Sequence, residues 1–463
     1  MNYDVLILGG GIIGCAVAYE LSKYSLNIAL IEKDYDIADD VALVNSAIVY
    51  NGVECEDTLM SKLEFMGNTL IKNLSKKFNI EFKKHDSLII AEDEKAQERL
   101  EKIYEKVLNR EIDNVYLLDN KVVYEMEPNL NTPVRKAIYS QNTGIISPYD
   151  LAIAYGEIAF DNGVNFRLQE EVLDIQKMSK GFRVITNKNK FTCNMVLNTT
   201  SSENYSIDSH SKISKKRSHI KYFMLESSLN EIYKNIIYTL NKNDESIYAF
   251  QTIQGGSIIA IKSDENISYD KSLKKISAFM GNINEEHINT FYESPFYNDT
   301  LVIDDSLVDI GYIKVTGKHY SQVTITPAIA KIVCETIINN FNCILKKDFI
   351  DKRREFYRFR DLSNEERNNI IKLDNRYGKV ICYCQKVTEG EIIDAIRRPL
   401  GARTLEGIKR RTGVTFGDCK GAQCISKVAA ILARETGKKM TDIVKDSNKS
   451  KIVISRIKEF NEL

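Results

Sequence analysis

YDVLILGGGIIGCAVAYELSKYSLNIALIEKD, residues 3–34, reads as strand, tight turn, helix and second strand. Val5, Leu6, Ile7 and Leu8 form an unbroken apolar run, as a strand buried on both faces would. Gly9, Gly11 and Gly14 then supply G-x-G-x-x-G. The first glycine permits the tight turn, the second lets backbone approach a pyrophosphate, and the third lets helix pack closely on strand. Phosphates would sit at the helix N-terminus, where unpaired N–H groups and the helix dipole favour anions. The second strand ends at Glu32, eighteen residues after Gly14, where an acid can take both ribose hydroxyls of an adenosine, with Lys33 beside it. Together these features predict a Rossmann-like nucleotide-binding layer at the start of the chain.

At 463 residues the chain is too long for one ordinary core, so two or three domains are expected. Lys+Arg and Asp+Glu are both 64, which gives no global argument for nucleic acid or an anionic membrane surface. No apolar run is long enough to span a bilayer, so no transmembrane segment is expected. The N-terminal apolar run lacks a basic region and is preceded by Asp4, as a buried strand is and a signal peptide is not. Nine cysteines, an odd number, fit a reducing compartment, and a cytoplasmic location is expected.

Further stretches extend the pattern: NSAIVYNG (45–52), MEPNL (126–130), TGIISPYDLAIAYGEIAFDNGVNF (143–166), MVLNTT (195–200) and TPAIAKIV (326–333). With the glycine turn, they make residues 1–350 resemble the FAD-dependent oxidoreductases of the D-amino-acid oxidase and glycerol-3-phosphate dehydrogenase superfamily. The similarity is to the branch of anaerobic glycerol-3-phosphate dehydrogenase and L-2-hydroxyglutarate oxidase. That resemblance implies an α/β FAD-binding layer from about 1–84, 145–204 and 301–350. It also implies an α+β substrate domain with a mostly antiparallel sheet from about 85–144 and 205–300. FAD would be held by Gly9, Gly11, Gly14, Glu32, Lys33, Asn45, Ser46, Thr200, Gly317 and Thr324. His319 is the candidate base, and Tyr50 stands where the branch usually has a substrate-site histidine. Tyr320 is a candidate substrate contact, and Arg217 or Lys221, in SKISKKRSHIK (211–221), a candidate anion holder.

The sequence departs from the family at four places around the flavin ring: Asp40-Val41-Ala42, Ser201, Ala260-Ile261 and Gln322. Two outcomes stay open, a reshaped flavin pocket or a pocket that no longer holds flavin.

The charged segment 351–375 reads as a solvated connector. A new unit begins near 376. Cys382 and Cys384, then Cys419 and Cys424, make C-x-C…C-x₄-C, four thiolates suited to zinc or an iron–sulfur cluster. Zinc sites favour C-x₂-C pairs. The spacing, with VTEGEIIDAIRRPLGARTLEGIKRRTG between the pairs, resembles the bacterioferritin-associated ferredoxin-like [2Fe–2S] domain, here 376–440. Thr388 and Glu391 form a capping box for a helix after the first pair, Thr404 can cap a second ended by Gly413, and Cys424 would start a third closed by Gly437. Residues 441–463 are expected to form one capped helix and a polar tail.

The resemblances imply an FAD- and [2Fe–2S]-dependent dehydrogenase. It would oxidise a small CH–OH or CH–NH₂ substrate, a hydroxy acid, phosphorylated polyol or amino acid, and pass electrons to a second flavoprotein or other acceptor subunit. The alternative is a non-catalytic electron-transfer or scaffold subunit with a degenerate ring pocket.

Overall fold

The computed structural model describes residues 2–39, 47–200, 203, 205–208, 217–226, 229, 232–241, 243, 245–253, 256–281, 283–297, 301–341 and 343–455. Asn45 and Ser46, the departures at 40–42 and 201, and the basic stretch 211–216 lie outside them, as does the side chain of Arg217.

The first strand, Asn2–Leu8, is central to an eight-stranded sheet. It pairs in parallel with Ile28–Ile31 on one side and Lys190–Asn198 on the other. Val5 and Ile7 face helices Ile12–Leu21, Pro148–Asp161 and Gln322–Phe341, while Leu6 and Leu8 face the meander of strands Val172–Lys177 and Phe182–Thr186. The unbroken apolar run is thus explained by burial on both faces. Lys190–Asn198 changes partner along its length: residues 190–193 pair antiparallel with the meander, and 196–198 pair in parallel with Tyr312–Thr316. That switch brings the chain back to the nucleotide side of the sheet before the last long helix.

A second eight-stranded sheet is antiparallel except where Ser87–Ala91 meets Ile236–Leu240. One face, with Phe223, Ile259 and Ile261, packs on helix Tyr269–Met280. The other, with Tyr222, Ile258 and Ala260, packs on Ile48 and Tyr50 of the first domain. Helix Glu94–Asn109 buries Leu100, Ile103 and Val107, the stripe its 3.6 spacing predicts.

The C-terminal unit has its own core of Ile392, Ile396, Leu405, Ile408, Val428 and Leu432 from helices Glu389–Arg397, Leu405–Thr412 and Ile425–Thr436. The capping box at Thr388 and Glu391 is formed, Thr404 caps the second helix, and Gly413 and Gly437 close helices at φ 77° and 64°. The tail corrects its expectation. Met440–Asp442 is a 3₁₀ turn, and a bridge joins Val444 to Lys451 in place of a helix.

The connector is likewise more than a solvated strap. Arg353 is buried and donates to Asp150 Oδ1 at 2.6 Å and Glu157 Oε2 at 2.7 Å, both on helix Pro148–Asp161. Arg398 of the C-terminal unit reaches Glu157 Oε1 at 3.1 Å. Burial alone would raise the Asp150 carboxyl, but Arg353 and Arg358 outweigh it and hold it below the usual range. A dense run of charge reads as solvated because the partners that bury it lie some two hundred residues earlier.

A second clasp binds the C-terminal unit to the nucleotide layer. Asp36, fully buried in the loop after the second strand, accepts from Arg411 Nη2 at 2.7 Å, and Arg410 pairs with both Asp36 and Asp39. Breaking a buried pair from one side leaves an uncompensated charge. Arg411→Ala should therefore lower the unfolding free energy in urea by about 3–5 kcal/mol. Asp36→Asn combined with Arg411→Met should recover most of that loss.

Candidate functional site

Gly9 adopts φ +99°, and its N–H donates to Ile31 O at 2.9 Å. A Cβ on Gly14 would lie 2.0 Å from Gly9 O. Only glycine lets the helix seat this closely on the turn. Gly11 begins the helix with no side-chain cap. The Glu32 carboxylate faces the same place and accepts from the Gly10 N–H at 2.6 Å and the Asp34 N–H at 2.9 Å.

These groups border a cavity of about 330 Å³, lined further by Lys33, Thr200, Lys318 and Gln322. Thr200 is fixed by its N–H and hydroxyl, both donating to Asn198 Oδ1. Gly317, at φ +104°, turns the chain back toward the cavity. Gln322 opens helix Gln322–Phe341, and its buried Oε1 has no hydrogen-bond partner. An orphaned acceptor at the wall of this cavity fits a ligand that carries an N–H. The glycine cradle, the acid and this acceptor fit FAD. Thr324 has a different task from the one expected. Its hydroxyl donates to Ile48 O at 3.3 Å and accepts from the Tyr50 N–H at 3.1 Å, pinning the strand Ile48–Val49 to the helix.

The loop 317–322 continues from the cavity into an aromatic cluster between the two sheets. Tyr50 and Tyr320 meet edge to face at 5.0 Å, and His319 lies 4.3 Å from the Tyr320 ring. His319 is buried, and burial, then the charge of Lys262, push it down to about 3. Its Nδ1 accepts the Ser321 backbone N–H at 3.2 Å and contacts Ser321 Oγ at 2.7 Å. A backbone N–H can only donate, so the ring proton of the neutral imidazole sits on Nε2. This geometry gives His319 a donor's role in place of the base expected from the sequence.

Two groups are placed here that the sequence reading missed. Lys262 lies on strand Ser257–Ser263 in register with Ile258 and Ala260, the face turned to the first domain, and its Nζ is 5.7 Å from the Tyr320 ring. Glu64, on helix Thr58–Lys77, is fully buried beside Ser321, Tyr320 and Glu54. The period of two that identifies Lys262 was present in SIIAIKS but looked like a strand end. Lys221, by contrast, is on the opposite parity of its strand, with Phe223, and is paired to Glu293 at 2.8 Å. It faces away from the aromatic cluster, which corrects its candidacy as anion holder.

In the C-terminal unit the four cysteines come together as two pairs. Cys384 Sγ and Cys419 Sγ are 3.6 Å apart, and Cys424 lies against Cys382. Among the described residues no three side chains could hold one metal ion. A single tetrahedral zinc needs four ligands around one point. Two pairs suit two irons, each taking two thiolates, and about 3.7 Å is the sulfur separation across a tetrahedral metal with bonds of about 2.3 Å. None of the nine cysteines is joined in a disulfide. The turn at Lys420 and Gly421, with φ 49° and 85°, aims backbone N–H groups at Cys419. That of Gly421, with those of Gln423 and Ala422, holds the thiol below its usual range. The pair at the surface is within reach of other molecules: Cys384 and Tyr383 are exposed, while Cys382 and Cys424 are buried.

Gly14→Ala should push the first helix off the turn and reduce flavin content to near zero, with iron content retained. Cys384→Ser should do the reverse, abolishing iron and its visible absorbance while flavin remains. Acid-released flavin and iron assays on one preparation of each variant check both.

Comparison with known proteins agrees with this arrangement. The family described as FAD dependent oxidoreductase matches residues 4–336, and the BFD-like [2Fe-2S] binding domain matches residues 380–434. The glycerol 3-phosphate dehydrogenase of Caloramator mitchellensis is 33% identical over 97% of this chain and 98% of its own. The glycerol 3-phosphate oxidase of Mycoplasma pneumoniae is 28% identical over 41% of this chain and 50% of its own. Among solved structures, the L-α-glycerophosphate oxidase of Mycoplasma pneumoniae with FAD bound superposes with TM-score 0.68 at 20% identity, covering 77% of this chain and all of that one. Glycine oxidase from Geobacillus kaustophilus gives 0.63 at 18%, covering 77% and 99%. No helix of the described residues is long and apolar enough to cross a membrane. The chain belongs to the FAD-dependent oxidoreductase family, joined to a BFD-like [2Fe–2S] domain, and its cofactors are FAD and a [2Fe–2S] cluster.

Proposed function

We propose that the chain is a dehydrogenase that oxidises the secondary hydroxyl of glycerol 3-phosphate and passes the electrons through its cluster to a partner protein. The observation that carries this reading is the similarity to a glycerol 3-phosphate dehydrogenase along essentially the full length of both chains, cluster unit included. FAD, when bound, supplies a two-electron acceptor for the hydride leaving the carbon. Lys262 gives the aromatic cluster a cation for the substrate's phosphate. His319 offers its Nε2–H to a substrate oxygen, and the packed rings of Tyr50 and Tyr320 keep water from that side.

A [2Fe–2S] cluster carries one electron at a time. The exposed Cys384 and Tyr383 put one edge of the cluster site at the surface, as delivery to another protein requires. A second flavoprotein or a one-electron carrier fits that role. Asn289 of the substrate domain donates to Asp418 Oδ1 at 3.3 Å, tying the cluster loop to the domain that covers the flavin.

Glycerol 3-phosphate added anaerobically to the flavin- and iron-loaded protein should bleach the flavin, and 2-hydroxy acids should do so less well. A flavin that dithionite bleaches and none of these substrates does would overturn the reading. Lys262→Ala should raise KM for glycerol 3-phosphate about 10- to 100-fold, since a hydrogen bond to a charged group contributes roughly 1.5–3 kcal/mol. Flavin content should not change.

A further inference from the structure

Oxidation of a CH–OH carbon to a carbonyl removes a hydride from carbon and a proton from oxygen. The hydride has its acceptor in FAD. The proton needs one among the side chains, and His319 does not supply it, because its Nδ1 lone pair is already taken by Ser321.

Glu64 stands out on geometry alone. It is fully buried, and neither carboxylate oxygen has a hydrogen-bond partner. One oxygen of Glu54 is equally unpartnered. A lone buried carboxylate is costly in an apolar setting, so such a group holds a proton or awaits one. The polar groups beside Glu64 are the side chains of Ser321, Tyr320 and Glu54 and the backbone of Gly52. Tyr320 belongs to the aromatic cluster with Tyr50 and His319, and also borders Cys55. Its ring lies in the aromatic cluster and its hydroxyl lies toward the carboxylates, so the side chain joins the two.

We propose that Glu64, with Glu54 beside it, is the internal proton acceptor of this site, receiving the substrate's hydroxyl proton through the Tyr320 hydroxyl. The inference rests on the site oxidising a CH–OH group. In the transfer, the substrate O–H bond breaks as a new O–H forms on Tyr320, and the Tyr320 O–H breaks as one forms on the carboxylate. No net charge is left on the tyrosine, whose own proton is held tightly by burial. Protonated Glu64 can then donate to Ser321 Oγ, whose own hydroxyl donates to His319 Nδ1. The same shuttle would keep His319 in the Nε2–H form that meets the substrate.

The surroundings set the direction of flow. Burial, then the Glu54 charge, push Glu64 up to about 8, and burial pushes Glu54 up to about 7. His319 is held near 3 and Cys55 is raised to about 12. Other charged or titratable groups facing the cluster are Asp57, Lys262, Tyr50, Tyr222, Tyr238, Tyr248 and Tyr292. Burial thus brings both carboxylates of this cluster to within about a unit of neutrality.

The test uses the flavin- and iron-loaded full chain. Stopped-flow reduction of flavin by glycerol 3-phosphate should speed up as pH rises through about 7 to 8, as the pair loses its protons. Glu64→Gln should slow that reduction about 10²- to 10⁴-fold, the range of a lost proton acceptor. It should also abolish the pH dependence, leave reduction by dithionite unchanged, and be partly rescued by Glu64→Asp. Wild-type reduction rate and profile in Glu64→Gln would overturn the proposal. A second readout needs no substrate. Infrared difference spectra of the wild-type protein should show the carbonyl stretch of a protonated carboxylic acid at neutral pH, with a component that fades as pH rises through about 8 and is lost in Glu64→Gln, while Glu54 keeps its own share of the band. Absence of that band in the wild type would overturn the relay whatever the substrate assay finds. Its presence alongside a flavin that no substrate reduces would instead count against the proposed activity alone.

Discussion

The approach of Gly14 to Gly9 is the constraint on which the rest of the molecule depends. A methyl group there would stand 2.0 Å from a carbonyl oxygen, so the first helix can sit where it does only without one. That seat brings the start of the first helix to the cavity wall with Glu32 beside it, and fixes the plane against which helices Pro148–Asp161 and Gln322–Phe341 pack. The last of these helices carries the loop 317–322 at its start. A single close contact at residues 9 and 14 therefore governs, through one layer of helices, where His319 and Tyr320 stand relative to the cofactor cavity.

The second organising principle is charge taken out of water. Two groups of arginines, Arg353 with Arg398 and Arg410 with Arg411, cross between units and meet Asp150, Glu157 and Asp36. Such pairs contribute little net stability against an apolar alternative but are strongly destabilising when half of one is missing. Their effect is to fix position. They set the cluster unit against the nucleotide layer while Asn289 and Asp418 tie its cluster loop to the substrate domain. Glu54 and Glu64 are the opposite case, carboxyls buried without a cation, where burial favours the protonated form.

Much of this was legible in the chain. Glycine spacing, an apolar strand and an acid at its end have local physical meaning, and so have capping boxes and cysteine spacing; each is read within about thirty residues. What escaped depends on distant partners. The run DKRREFYRFRD gives no sign that Arg353 will be buried, because Asp150 and Glu157 close over it from another part of the chain. Lys262 is an ordinary strand lysine until the sheet is assembled. Lys221 sits one strand away with the opposite parity, and only the pairing of Tyr222 with Ala260 settles which face belongs to the flavin domain. Glu64 left a trace that was overlooked: the buried face of its helix, Met60, Ser61, Glu64, Gly67, Asn68, Ile71 and Ser75, keeps helical period but is mostly small or polar. An amphipathic helix whose inner face is not apolar is a sign of a site.

The clasp between Asp36 and Arg411 bears on how the protein is made. The carboxylate and its partner are separated by nearly the whole polypeptide, and domains tend to fold as they emerge from the ribosome. Throughout synthesis the loop after the second strand must stay hydrated, since burying Asp36 alone would be costly. The Asp36–Arg411 clasp can form only once the helix Leu405–Thr412 has been made. The seating of the first loop of the nucleotide layer is thereby linked to the presence of the last domain to be synthesised.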